Sequence, residues 1–488
     1  MFRMTPICDV AAVRALERGA GDAPLMERAG TAAAEMARLL APRTADPIAI
    51  FAGPGNNGGD GFVVARRLHE WGYTVHVVFD ADPARLPRDA RRAFDRWIAA
   101  GGTTATTTPA LTGCALIVDA LFGIGLGRAI EGTYAERIGA INRAGVPVLA
   151  LDIPSGLDAD TGAVNGAVVE ATHTATFIAL KPGLLTGDGV DYAGRVSLDD
   201  LGIDARAGDI ACGSLVEWKT ARRWLRPRRR NSHKGSFGTL AVVGGASGMA
   251  GAALLAGRGA LHAGAGKVML GLVADIPFPV DVTQPELMLR TVDEILRGDP
   301  TVLVAGPGLG QSRHAADVLG RVLSRPLPLV LDADALNLLA LEPALAARVT
   351  GRKEPTLLTP HPAEAARLLQ TSTGVVQANR LAAAKELAAR FRASVALKGA
   401  GTVCAAPDGT WSINASGNPG LASGGTGDVL AGVAGAFLAT GLEPMRALQA
   451  AVCAHGAAGD LLVSEGVGPV GLTASELAPA VRRLLNGK

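Results

Sequence analysis

Short apolar runs ending in glycine, aspartate or proline recur along this 488-residue chain, and stretches of helical periodicity separate them. That alternation leaves few folds open, because strands joined through helices form βαβ units and a mostly parallel sheet. In the first half the runs span residues 47–52, 74–79, 115–121, 146–152 and 173–180. Their polar ends fall at strand C-termini, the sheet edge at which open α/β folds bind ligands. The pattern restarts with runs at 238–245, 267–273, 301–306, 328–334, 356–359 and 394–399. Residues 402–414 predict a hairpin turning at Asp408–Gly409, followed by a helix to about Thr440 and a last helix over Met445–Ser464.

Two copies of one pattern predict two domains, as the length does. Between them lies Trp218–Ser236, a basic, proline-broken stretch that reads as a solvated linker. The expected domains are therefore 1–217 and 225–488. Sixty-three glycines without a triplet period point to tight turns and to loops that approach phosphates. Lys+Arg total 47 against 45 for Asp+Glu, a net charge of +2 that gives no footprint for nucleic acid. No 18-residue apolar run predicts a membrane helix, and the first ten residues lack a signal-peptide core. A soluble, cytoplasmic enzyme without nucleic-acid or membrane partners is expected, as a symmetric homo-oligomer. Cys8, Cys114, Cys212, Cys404 and Cys453 show no metal or redox spacing and are expected as reduced, buried hydrophobes.

The first-half loop GPGNNGGDG (53–61) follows a strand and opens the helix that begins at Phe62. Glycines let the backbone approach a ligand, and amides at a helix N-terminus attract phosphate. Asn56, Asn57 and Asp60 add oxygens for a hard cation and a polar ligand. Two more strand-end loops, DALFGIGLGR (119–128) and LDIPSGLDADTG (151–162), converge on the same sheet edge. Asp119 alone would be a turn or cap residue. With three such loops, Asn57, Asp119 and Ser155 offer oxygens to one cation, and Asp152 is left for proton transfer.

In the second half, GGTGD (424–428) runs directly into a helix. Consecutive glycine amides there form an anion hole for a phosphoryl group, and Asp428 is placed to accept a proton from an attacking hydroxyl. A mere capping aspartate would leave the glycines as a cost to the helix start. KGAGT (398–402) stands at a strand end suited to nucleotide phosphates, with GPGLG (306–310) and TPHPAE (359–364) as further strand-end loops. His361, between two prolines, serves equally as a structural turn residue or a substrate contact. No P-loop and no protein-kinase signature is present.

LMERAG (25–30), GNNGGDG, DALFGIGL and DIPSGLDADTG resemble the N-terminal domain of the NAD(P)H-hydrate repair enzymes, the YjeF family, over most of residues 1–215. The resemblance implies a Rossmann-like three-layer domain that interconverts the R and S forms of hydrated NADH and NADPH (NADHX and NADPHX). It further implies that Asn56, Asn57, Gly58, Gly59 and Asp60 hold the hydrate with Gly123, Ile124, Gly125, Leu126, Gly127, Arg128 and Ala129. Asn57, Asp119 and Ser155 would bind K+, and Asp152 would contact the substrate.

SHKGSFG (232–238), GPGLG, TPHPAE, KGAGT and NPGLASGGTGD (418–428) resemble the ADP-dependent NAD(P)H-hydrate dehydratases, within the ribokinase-like α/β superfamily, over about 225–488. This implies that ADP phosphorylates the hydrate and that phosphate elimination restores NAD(P)H, with Mg2+ on the phosphates. Ala252 in a 251–253 turn, Gly308, His361 and Asp428 would contact the hydrate. Lys398, Gly399, Ala400, Gly401, Thr402 and Gly427 would contact the nucleotide. Two alternatives stay open: a vitamin-precursor or sugar kinase in the second half, and a non-catalytic binding module in the first.

Overall fold

The computed structural model describes residues 4–206, 210–274 and 280–487, with Thr5–Gly213 forming one unit and Ser214 onward, together with Met4, another. In the first unit seven parallel strands lie in the order Thr104–Ala105, Val75–Val78, Ile48–Ala52, Leu116–Ala120, Val148–Leu151, His173–Phe177 and Arg195–Asp199. Every residue of Ile48–Ala52 is buried because helices cover both faces. Ile48 and Ile50 pack with Phe62 on one side, and Ala49 and Phe51 pack with Ile138 on the other. Chain order reverses between Ile48–Ala52 and Leu116–Ala120, which opens a crevice at their C-terminal ends. The edge strand Arg195–Asp199 carries no apolar run, since its residues are at most half-buried.

In the second unit the parallel strands follow the order Met288–Thr291, Lys267–Leu272, Thr239–Gly244, Val302–Ala305, Leu329–Leu331, Thr356–Leu358 and Ser394–Leu397. Thr402–Ala405 and Trp411–Asn414 then add the anticipated antiparallel hairpin. The reversal here falls between Thr239–Gly244 and Val302–Ala305. Helix Thr426–Ala439 packs on helix Ala250–His262 at backbone contact. A Cβ added at Gly432 would lie 1.9 Å from the Ala256 carbonyl oxygen, and one at Gly259 would lie 2.6 Å from that of Val429.

Four features depart from the sequence reading. Cys8 and Cys212 form a disulfide, while Cys114, Cys404 and Cys453 are free and buried as expected. The pair is separated by 204 residues, so no local spacing could announce it. Segment 218–236 belongs to the second unit instead of standing free: Ala221 is buried, and Arg228 covers the Phe237 ring at 3.8 Å. Pro444–Ser464 is not the last helix, because Ala474–Leu485 follows it. A reciprocal Thr473–Glu476 cap starts that helix, and an internal Pro479 masks its periodicity. Helix Asn56–Glu70 begins six residues before Phe62, so Asn56–Asp60 is helical. Among the described residues, no helix is long and apolar enough to cross a membrane.

The Gly432 contact makes a direct prediction. Gly432→Ala should lower stability by about 1–3 kcal/mol through overpacking, seen as a lower midpoint in thermal unfolding. An unchanged midpoint would mean that the two helices separate freely.

Candidate active sites

Both reversals in strand order are lined by the loops singled out in the sequence. In the first unit, helix Asn56–Glu70 starts behind an extended Gly55 with no side-chain cap, so its first amides face the crevice unclaimed by a cap. Asn57 is buried, and neither its amide nitrogen nor its oxygen has a hydrogen-bond partner among the described residues. Across from it, a Cβ at Gly123 would lie 3.3 Å from the Asn57 Cβ, which brings the loops after two adjacent strands together. Within the Gly123–Ala129 loop, Gly127, Arg128 and Ala129 are exposed. Gly125 lies beside the Arg14 guanidinium.

Asp119 is fully buried at its strand end. It accepts hydrogen bonds from the Ser155 amide (2.8 Å), the Ser155 hydroxyl (2.7 Å) and the Leu121 amide (3.2 Å). Burial outweighs these bonds and pushes its carboxyl up to about 6. Ser155 is committed twice, because its Oγ also accepts from the Phe122 amide at 2.8 Å.

Asp152 ends the next strand in a left-handed conformation, φ 64°. Its carboxylate is bound to the ammonium of Lys181, which is fully buried. Lys181 Nζ also donates to Thr176 Oγ1 and the Phe177 carbonyl, each at 2.8 Å, which uses all three of its protons. Asp60 and Glu17 face the same pair, and both carboxyls are raised by burial and by the Asp152 charge. One ammonium thus answers three carboxylates. Lys181, Glu17 and Arg14 were missed from sequence. The signal for Lys181 was a lysine directly after the apolar run 173–180.

In the second unit the sites lie on neighbouring strand ends. Asp332, also missed, is 1% exposed and accepts from Lys398 Nζ at 2.7 Å and Thr359 Oγ1 at 2.8 Å. Burial opposes the charge on Lys398, but Asp332 and Glu364 outweigh it and raise its pKa. A Cβ at Gly427 would lie 3.1 Å from Lys398 Nζ, so the ammonium stands at the first turn of helix Thr426–Ala439. That helix has no side-chain cap, and the amides of Gly424, Gly425 and Gly427 donate to no partner among the described residues. Burial, then the nearby Asp332, pushes Asp428 up to about 7. Glu364, unassigned in the sequence reading, is raised to about 7, chiefly by burial.

His361 caps helix Pro362–Leu369, its Nδ1 accepting from the Ala363 amide at 3.1 Å, while its side chain stays about half exposed (47%). Burial and then Lys398 lower its pKa. Ala252 lies in the first turn of helix Ala250–His262, which corrects the turn expected at 251–253. Its Cβ is 3.1 Å from a Cβ built on Gly308, so the two face one another at the strand-order reversal. Gly399 and Gly401 both take positive φ, and Thr402 Oγ1 closes the loop onto the Gly399 carbonyl at 3.0 Å.

The comparisons agree in both halves. Residues 22–183 match the family described as YjeF-related protein N-terminus, and residues 240–482 match NAD(P)H-hydrate dehydratase. The chain is 42% identical to the bifunctional NAD(P)H-hydrate repair enzyme of Escherichia coli, over 95% of this chain and 89% of that one. It is 40% identical to the enzyme of the same description from Coxiella burnetii, over 97% and 96%. An ADP/ATP-dependent NAD(P)H-hydrate dehydratase of Bacillus subtilis, crystallised with ATP and Mg2+, superposes with a TM-score of 0.50 at 33% identity. The match covers 56% of this chain and 97% of that one.

The Asp119 arrangement predicts a titration. Ser155→Ala removes one bond to the carboxylate, so the Asp119 pKa should rise above about 6. Carbon-13 NMR of the aspartate carboxyl carbons across pH 4–9 reads this directly. No upward movement would mean that the serine hydroxyl contributes nothing to its ionisation.

Proposed function

The chain belongs to the bifunctional NAD(P)H-hydrate repair enzymes, and on that premise we propose what each unit does. The first unit interconverts the R and S forms of NADHX and NADPHX. The second dehydrates the S form with ADP, giving NAD(P)H, AMP and phosphate. The observation that carries the second assignment is Asp428 in the first turn of an uncapped helix, with Lys398 beside Gly427.

In dehydration, Asp428 accepts the proton of the hydrate hydroxyl as that oxygen attacks the terminal phosphorus of ADP. The amides of Gly424, Gly425 and Gly427 receive the developing charge, and Lys398 balances it. Elimination of phosphate then restores the dihydronicotinamide ring. Lys398, Gly399, Ala400, Gly401, Thr402 and Gly427 hold the nucleotide, while Ala252, Gly308 and His361 hold the hydrate. Among the described residues no cluster of three or more His, Cys, Asp or Glu is disposed to hold a metal. Mg2+ would enter with the phosphates, whose charge it would neutralise. Asp428, raised to about 7, must be ionised to act, so the rate should fall as pH drops below that value.

In epimerisation, Asp152 accepts the proton of the hydrate hydroxyl as the carbon–nitrogen bond at that carbon opens to an aldehyde, then returns it as the nitrogen closes on the other face, and Lys181 steadies the carboxylate charge. Asn56–Asp60 and Gly123–Ala129 enclose the hydrate. The unpartnered Asn57 oxygen and the Asp119 carboxylate fit a K+ ion, with Ser155 orienting Asp119. Bound K+ supplies the positive charge against which Asp119 stays ionised.

The test is recovery of dihydronicotinamide absorbance from mixed R and S hydrates with ADP, Mg2+ and K+. The native chain should recover all of it, and Asp152→Asn only the fraction that began as S. Asp428→Asn should slow recovery about 10²–10⁴-fold, the usual contribution of a general base. No recovery, together with a stable phosphorylated product from a vitamin precursor, would overturn the dehydratase assignment in favour of a kinase.

A further inference from the structure

We propose that His455 and Asp460, on helix Pro444–Ser464, clamp the two ends of loop 417–426 and thereby aim its amides at the transferred phosphoryl group. This rests on the dehydratase reading given above. It makes both of them positioning residues, since neither touches the reacting atoms.

The helix and the loop meet at backbone distance. A Cβ at Gly456 would lie 2.4 Å from Ser416 Oγ, and one at Gly459 would lie 2.9 Å from the Leu421 side chain. Glycines weaken a helix interior, so two of them here mark an approach that larger residues would block. Either side of this notch, the helix presents its polar groups. His455 is 8% exposed, and its Nε2 lies 2.9 Å from the Thr426 carbonyl oxygen. A carbonyl only accepts, so Nε2 carries the hydrogen. Burial drives the imidazole pKa down to about 4, which keeps the ring neutral at physiological pH.

Five residues on, the Asp460 carboxylate accepts from the Gly417 amide at 2.9 Å and from Asn418 Nδ2 at 3.0 Å. Asn418 passes the constraint inward, because its Oδ1 accepts from the Gly420 amide at 3.0 Å. At the far end, Thr426 Oγ1 shares its one proton between the Leu421 and Ser423 carbonyls, at 2.8 and 3.0 Å. The loop is therefore anchored at its start by Asp460 and at its finish by His455, with its free amides between them. A displacement of about 1 Å in such donors costs on the order of 100-fold in rate.

The experiment is steady-state dehydration of the S hydrate by the full-length chain, with kcat and the KM for ADP resolved separately and epimerisation measured in parallel. His455→Phe should lower kcat at least about 10-fold, while the KM for ADP stays within about threefold. His455→Gln, which keeps a donor, should recover part of the loss. Gly456→Ala, which removes no polar group but crowds Ser416, should also act through kcat. Epimerisation should be unchanged in all three. A kcat within twofold of the native value in both His455→Phe and Gly456→Ala would overturn the proposal. So would a loss confined to KM. A native chain unable to dehydrate the hydrate with ADP would overturn the underlying reading instead. If His455→Phe does not fold, judged by its thermal unfolding, Gly456→Ala and His455→Gln decide.

Discussion

A buried ammonium outnumbered by carboxylates organises each of the two sites. Lys181 faces Asp152, Asp60 and Glu17; Lys398 faces Asp332, Glu364 and Asp428. Removing either lysine would leave uncompensated buried charge, which costs about 3–5 kcal/mol in comparable pairs. Burial raises the remaining carboxyls, and Glu364 and Asp428 stand near 7 chiefly for that reason, with the Asp332 charge adding to it. Groups poised near neutrality exchange protons at little energetic cost, as acid–base chemistry requires. One electrostatic arrangement thus both stabilises the strand ends and equips them for reaction.

The strand-order reversals open crevices beside these clusters, which line the same sheet edge: Asp332 and Lys398 follow strands Leu329–Leu331 and Ser394–Leu397. At each reversal, helices leave to opposite faces and the strand ends part, so a ligand reaches backbone amides and carboxylates together. The first unit fills its crevice with the start of helix Asn56–Glu70 and the Gly123 loop. The second fills its own with Ala252, Gly308 and the start of helix Thr426–Ala439. Dissimilar chemistries, epimerisation and phosphoryl-driven dehydration, rest on the same topological opportunity.

Glycine-rich turns and polar strand ends were legible in the sequence because they are local. The hydrophobic period located the buried strands, and the ends of those strands located Asp119, Asp152 and Lys398. Legibility failed where the information was not local. Lys181 looks like any lysine after an apolar run until the fold closes Thr176 and Asp152 around it. Asp332 went unnoticed at the end of the run 328–334, and its worth comes from Lys398, 66 positions away. The Cys8–Cys212 pairing, the edge strands Arg195–Asp199 and Met288–Thr291 and the proline-bearing helix Ala474–Leu485 lack a strong period or a short-range partner.

The backbone contact between helices Thr426–Ala439 and Ala250–His262 has a consequence for selectivity. One helix begins at the amides proposed to hold the phosphoryl group, and the other carries Ala252, proposed to contact the hydrate, in its opening turn. Because carbonyls and α-carbons touch at Gly432 and Gly259, the helices cannot slide to suit a smaller guest. The span between the two ends acts as a fixed gauge. On the proposed assignment, an acceptor must bridge it to bring its hydroxyl into line, and a shorter molecule would occupy one end only, bound yet out of reach of transfer.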